Sequence, residues 1–265
     1  KPVVGAEAFT AAPEAGRWQN DPYSLKALGD LMFCQGVSRF VFHRYALQPW
    51  TNRWPGMTMG PYGLHFERTL TWWKPGRAWL DYLARCEYLL QQGRTVADVA
   101  YFTGEGAPRE MGVQKPALPP GYDFDAVNAD VLLHGASVVN GRLTLASGAS
   151  YAVLVLPAEH PNLTPQMLSG ISQLVRAGLT VVGPPPRHSP SLSDYPHCDG
   201  QVKQMADELW GACDGKTVLE NQVGRGEMVW GKSLSAVFLK QDLPPDFEVF
   251  DAYGNLNLEY THGRR

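Results

Sequence analysis

Charge is scarce in this sequence. Asp, Glu, Lys and Arg make up 18% of the 265 residues and leave a formal net charge of −3. No basic patch or basic tail stands out, which argues against a general binder of nucleic acid or of anionic membranes. No run approaches the roughly 20 apolar residues that a membrane-spanning helix needs. Cysteine is equally sparse. Cys34, Cys86, Cys198 and Cys213 form neither close-spaced zinc pairs nor a CxxC motif, and they are expected to be mostly buried thiols. No strand-to-helix turn carries a G-x-G-x-x-G or Walker A sequence, so no nucleotide site is expected. A D-x-D-x-D-G calcium loop is missing too. The chain opens Lys1-Pro2-Val3-Val4, without an initiator Met or the residue order of a signal peptide, so this start is expected not to be the natural one.

What is present is apolar and aromatic. Hydrophobic residues reach 44%, with eight Trp and eleven Tyr. The length is comfortable for two domains. Aromatic rings suit the C–H faces of sugars, and they also fill cores.

Val3-Val4-Gly5-Ala6 reads as a buried strand running into Glu7-Ala8-Phe9-Thr10. Tyr23 to Gln35 has helical spacing and stops at Gly36. Arg39 to Tyr45 reads as a second strand. A loop rich in Gly, Pro, Trp and Met follows from Ala46 to Pro75, a length that usually signals function. Ala78 to Gln92 is an amphipathic helix. Residues 1–93 therefore read as two β/α units.

A second α/β pattern occupies 94–243. Expected strands are Val96 to Phe102, Tyr151 to Leu156, Leu179 to Val182, Lys216 to Leu219 and Gly226 to Trp230. Expected helices are Asp123 to Leu133, Gln166 to Ala177 with a Thr164-Pro165 start, and Val202 to Trp210. A hairpin turn is expected at Asn140-Gly141. Alternating apolar strands and helices predict a parallel sheet covered on both faces. Residues 244–265 read as the opening of a β-rich domain.

Several ordered blocks resemble glycoside hydrolase family 106, the α-L-rhamnosidases. They are Gly5-Ala6-Glu7-Ala8-Phe9-Thr10, Arg39 to Tyr45 with Gln48-Pro49-Trp50, Pro55 to Pro61, Glu67-Arg68-Thr69, Trp72-Trp73 and Tyr82 to Cys86. Downstream come Gly121 to Asp125 and Ser189 to Leu192. The resemblance implies the last two units of a (β/α)8 barrel, then a flavodoxin-like domain related to glutamine amidotransferases but non-catalytic. It implies an inverting mechanism with two glutamates and a calcium ion in the complete enzyme. The first six barrel strands, with the catalytic acid and much of the calcium site, would lie upstream. The isolated chain is then expected to be inactive and to bind calcium poorly, and no metal ligands are assigned within it.

Glu7 is the expected general base. An inverting glycosidase needs a carboxylate that takes a proton from water, with its partner acid about 6.5–9.5 Å away. Barrel enzymes carry such groups at the C-terminal ends of strands. His43 and Arg44 end the next strand, and alternation should point them in different directions. Each could bind sugar hydroxyls or support a carboxylate. Glu67 could contact substrate, sit behind the site or pair with Arg68. Trp50, Trp54, Trp72 and Trp73 lie in or beside the long loop, where one or two would wall the sugar site and the rest would be core. In the second domain nothing assembles into chemistry. Cys198, Cys213, His188 and His197 read as structural or exposed. That domain is expected to pack on the barrel or on another subunit, giving a homo-oligomer. The expected partner is a rhamnose-containing oligosaccharide or glycoside. Two other readings stand beside this one: a non-catalytic carbohydrate-binding or oligomerisation module, and a retaining β-galactosidase-like hydrolase with Glu7 as nucleophile.

Overall fold

The chain divides into two units, Lys1–Thr95 with Leu258–Arg265, and Val96–Asn257. The computed structural model describes residues 3–108, 112–159, 161–245, 248, 250, 253, 263 and 264. The segment expected to open a β-rich domain, 244–265, lies largely outside the described residues.

In the first unit, β1 (Gly5–Ala8), α1 (Pro22–Cys34), β2 (Arg39–Phe42) and α2 (Arg77–Leu90) follow in order. The two strands are parallel, with Glu7 opposite Val41 and Ala8 opposite Phe42. Parallel neighbours need a crossover, and α1 is part of it. Asp21 fixes the start of α1. Its carboxylate accepts from the Ser24 amide at 2.9 Å, the Ser24 hydroxyl accepts from the Asp21 amide at 3.0 Å, and Pro22 takes the first helical position.

Alternation divides the faces of this small sheet. Ala8, Phe40 and Phe42 turn into a core shared with Phe9, Phe33, Trp79 and Leu83. Phe9 meets Phe40 at 5.3 Å and Phe42 at 5.5 Å, while Phe42 stacks on Trp79 at 5.6 Å. Gly5, Glu7, Arg39 and Val41 are exposed. At the end of the unit, β3 (Arg94–Thr95) pairs antiparallel with Gly263–Arg264.

The second unit begins with β4 (Val99–Phe102), β5 (Phe124–Val127) and α3 (Ala129–His134). A small antiparallel sheet follows, β6 (Ala136–Val139), β7 (Arg142–Leu145) and β8 (Ser150–Tyr151). Then come β9 (Val153–Val155), α4 (Pro165–Ala177), β10 (Thr180–Val182), α5 (His197–Trp210), β11 (Glu220–Val223), β12 (Gly226–Val229) and α6 (Leu234–Lys240). The main sheet runs β11-β12-β10-β9-β4-β5. Five strands are mutually parallel and β11 is an antiparallel edge. Ala100, Phe102, Leu154 and Val181 face a core with residues of α4 and α5. Val99, Tyr101, Val153, Val155 and Val229 face Leu234, Val237 and Phe238 of α6. Helices therefore cover both faces, as apolar strands require.

The Asn140-Gly141 turn is present, with φ of +52° and +76°, and it joins β6 to β7 in a two-residue hairpin. Four sequence-based assignments need correction. The expected helix from Asp123 is strand β5 up to Val127, and Asn128 then caps α3 by accepting from the Val131 amide at 3.0 Å. Lys216 to Leu219 is no strand. Asp214 gathers the amides of Lys216, Thr217 and Val218 on one oxygen and bends the chain there, so β11 starts at Glu220. Helix α6, capped by Ser233, was not foreseen from the sequence. β2 ends at Phe42, so His43 to Tyr45 lie beyond it.

Gly226 tests the packing of the second unit. A Cβ there would lie 2.3 Å from the carbonyl oxygens of both Leu179 and Val175. Gly226→Ala should lower stability by about 1–3 kcal/mol, the usual cost of overpacking. Gly200 lies within α5 and its Cβ would meet open space, so Gly200→Ala should raise stability slightly. Thermal or urea melts followed by circular dichroism check both directions.

Candidate active site at the strand ends of the first unit

Glu7 sits within β1, one residue before its end, on the face opposite the helices. Its side chain is exposed, and its Oε1 accepts a hydrogen bond from the Thr10 hydroxyl at 2.6 Å. The same face of β2 carries Val41, 58% exposed. The Glu7 carboxylate thus stands on an open face, anchored by one hydroxyl and free on its other oxygen to meet a ligand or a water.

Beyond β2 the chain ties the long loop to the strand ends. The His43 amide donates to the Ala8 carbonyl at 3.2 Å, and the His43 carbonyl accepts from Leu64 at 2.9 Å. Gly63 allows this approach. Its φ is +78°, and a Cβ there would lie 2.4 Å from the His43 oxygen. Because the strand has ended, the expected alternation of His43 and Arg44 does not apply to them.

Arg44 reaches into the loop. Its Nη2 donates to the Thr58 hydroxyl and, at 2.9 Å, to the Gly60 carbonyl, and lies 3.0 Å from His65 Nε2. Its Nε and Nη1 are buried without a hydrogen-bond partner. Burial pushes the guanidinium below its ordinary range. His65 is buried, with Trp18 stacked on its ring at 3.9 Å. Its Nδ1 is 3.1 Å from the Gly63 carbonyl and its Nε2 is 2.6 Å from that of Gly60. Arg44 can only donate and the Gly60 carbonyl can only accept, so Nε2 serves one of these two neighbours at a time, while Nδ1–H donates to Gly63 in the neutral tautomer whose Nε2 accepts from Arg44. Burial, the largest influence, and the neighbouring Arg44 both push His65 below its ordinary 6.5.

Glu67 is buried and accepts from the Thr69 amide at 2.6 Å and from the Thr69 hydroxyl. Arg68 does not face it in an ion pair; it donates to the carbonyls of Gln48 and Trp50. Trp50 is part-exposed, and the Arg53 guanidinium lies 5.5 Å from its ring. Trp54 is more open still. Trp72 packs on Phe66 at 5.4 Å, and Trp73 on Phe66 at 4.7 Å and Tyr45 at 6.3 Å. Both join the apolar core of the unit. Met57 and Met59 flank Thr58 with exposures of 55% and 74%.

The structure brings Glu7, His43 and Arg44 to one end of the strand pair, while Glu67 lies buried within the long loop. Sequence reasoning gave no part to Trp18, which has no motif of its own and acts only through its stacking on His65. Among the described residues, no group of three or more His, Cys, Asp or Glu side chains is placed to hold a metal ion. No helix of the described residues is long and apolar enough to cross a membrane. In the second unit, His188 and His197 are exposed beside Asp199 and Asp194, and Cys198 and Cys213 are buried free thiols.

A family model described as alpha-L-rhamnosidase, glycoside hydrolase family 106, matches residues 1–265. A protein of Formosa agariphila named "Putative beta-glucuronidase" is 41% identical over 209 residues, which is 79% of this chain and 18% of that protein. The solved structure of a rhamnosidase from Novosphingobium sp. PP1Y superposes with a TM-score of 0.86 at 30% identity, over 99% of this chain and 25% of that one. The chain belongs to glycoside hydrolase family 106. It spans about a fifth to a quarter of the length of these relatives.

The His65 contacts carry a pH signature. A folded pKa below the unfolded one means that the unfolded chain binds more protons as pH falls below 6.5. The stabilisation is complete above pH 6.5 and declines as pH drops toward the folded value. His65→Gln should therefore lower the melting temperature most at pH 7.5, with the difference from wild type shrinking at pH 5.5. A constant difference across that range would show that His65 does not titrate this way.

Proposed function

We propose that this chain is the C-terminal part of the catalytic barrel and the following flavodoxin-like module of an inverting α-L-rhamnosidase, with Glu7 as general base. One observation carries the reading: a carboxylate at the C-terminal end of a parallel strand, on the face turned away from the helices. In a closed barrel that face is the interior, and groups at the strand ends line the active site. Glu7 would take a proton from a water attacking the anomeric carbon. An acid outside this chain, about 6.5–9.5 Å away, would protonate the leaving oxygen.

His43 and Trp50 are assigned to direct sugar contact. Arg44, Glu67, Trp72 and Trp73 would shape the wall behind them, in keeping with their loop and core partners. Calcium is proposed for the complete active site only. Glu7 and Glu67 are engaged by Thr10 and Thr69, and the described residues do not by themselves fit the six to eight oxygens that calcium takes. The flavodoxin-like assignment of the second unit rests on its parallel strand order, β5-β4-β9-β10-β12, which is the 2-1-3-4-5 pattern of that fold. A supporting role on the barrel or in a homo-oligomer is proposed for it.

The name of the Formosa relative favours a second reading, hydrolysis of a β-glucuronide. An aryl α-L-rhamnoside and an aryl β-D-glucuronide, tested side by side on the complete protein, separate the two. NMR of the first-formed anomer separates inversion from a retaining mechanism.

In the complete protein, Glu7→Gln should cut turnover roughly 10²–10⁴-fold with KM little changed, and Glu67→Gln should cost less. The reverse ranking would move the base to the long loop. Calorimetry on the 265-residue chain should show calcium binding no tighter than about millimolar; micromolar binding would refute this.

A further inference from the structure

The second unit has a crevice that the proposed hydrolysis does not use. Strand order reverses between β4 and β9, because β5 follows β4 in sequence but lies on its other side. In open α/β sheets the loops leaving such a pair diverge and open a ligand crevice beyond the C-terminal ends of the strands. Here that place holds a cavity of about 330 Å³, bounded by Tyr101 and Thr103 at the end of β4, Gln114 and Lys115 in the loop beyond it, and Leu156 and Glu159 after β9. We infer that this crevice binds one monosaccharide ring. The choice of a sugar rests on the reading of the whole protein as a glycan hydrolase; the existence of a site rests on the crevice itself.

The lining narrows the ligand class. A nucleotide or phosphate in such a fold uses the N-terminus of the helix that follows the strand. Here α4 follows β9, and its capping residue is taken. The Thr164 amide and hydroxyl donate to the two oxygens of Glu105 at 2.6 and 2.7 Å. The chain's own carboxylate fills that anion position and would repel another. Lys115 and Glu159 pair with each other, so the two charged side chains among the described lining residues compensate each other. The pair is well exposed and therefore weak, so sugar hydroxyls can exchange into it. Tyr101 and Leu156 supply apolar wall, while Thr103 and Gln114 supply polar groups that now donate to the Val127 and Gly112 carbonyls and keep their oxygens as acceptors. The Tyr101 hydroxyl donates to the Pro116 carbonyl at 2.8 Å and ties the Gln114–Lys115 loop to the strand end. Burial pushes this phenol up to about 12, so it remains a donor. The volume lies at the low end of ligand sites, about 300–1,000 Å³, which suits one ring.

Saturation-transfer NMR on the 265-residue chain tests this with L-rhamnose, D-glucose and D-glucuronate, and with AMP and inorganic phosphate as anionic probes. A saturable signal from at least one sugar is expected, with a dissociation constant on the order of a millimolar. It should weaken at least tenfold in Thr103→Val/Gln114→Ala and persist in Glu7→Gln. Melting curves establish that each variant is folded; if the double variant is not, Gln114→Ala alone is read. No saturable sugar signal from the folded chain would overturn the inference. So would a signal abolished by Glu7→Gln but kept in the crevice variant, or competition by phosphate or AMP. Turnover by the complete protein is measured separately. Its absence would leave a positive binding result standing, and absence of binding would leave turnover standing.

Discussion

Phe9, Phe40, Phe42 and Trp79 interlock beneath the two short strands of the first unit, and the placement of the candidate base follows from that contact. Four paired residues per strand supply few hydrogen bonds, and a two-stranded sheet is marginal without packing on one face. Burying an aromatic side chain of this size is worth about 3–5 kcal/mol against alanine. A one-residue slip of β2 would carry Phe40 and Phe42 to solvent, and one of β1 would turn Glu7 into the core. The rings and the register are therefore one constraint, and Glu7 on the open face is its other side.

Legibility in the sequence followed local physics. α1 could be placed because the apolar spacing of Tyr23 to Gln35 is local, and the Asp21–Ser24 pair and Pro22 that fix its start act within four residues. The Asn140-Gly141 turn was readable because few other dipeptides accept positive φ at both positions. β5 was misread because Phe124 to Val127 is too short for its period to declare itself, and the decision comes from parallel pairing with β4. The fall of the chain after Asp214 depends on one carboxylate collecting three amides, which propensity does not register. At the site, the carboxylate at a strand end was legible. The partners were not. The contacts of Arg44 with Gly60 and His65, and the stacking of Trp18 on His65, join residues from separate parts of the first unit. Of the four tryptophans read as site wall or core, Trp72 and Trp73 have Phe66, Tyr45 and Trp79 around them.

In the second unit a side chain occupies a helix end that phosphates use in other proteins of similar strand order. Its strand order and helix placement are those on which phosphates commonly bind. There a single side chain, Glu105, accepts from the Thr164 amide and hydroxyl. Electrostatics at one helix end thus bears on function independently of the fold, and fold alone does not define the chemistry. The two relatives carry different substrate names.

The long loop beside Glu7 has a chemical weak point. Met57 and Met59 present their thioethers to solvent on either side of Thr58, which receives a hydrogen bond from Arg44. Peroxide converts an exposed thioether to a polar, chiral sulfoxide while leaving buried sulfur largely untouched. Met57 also bridges back to Leu47 through the main chain. Among the described methionines, oxidation would therefore begin in the long loop, and reductive repair of two side chains would reverse it.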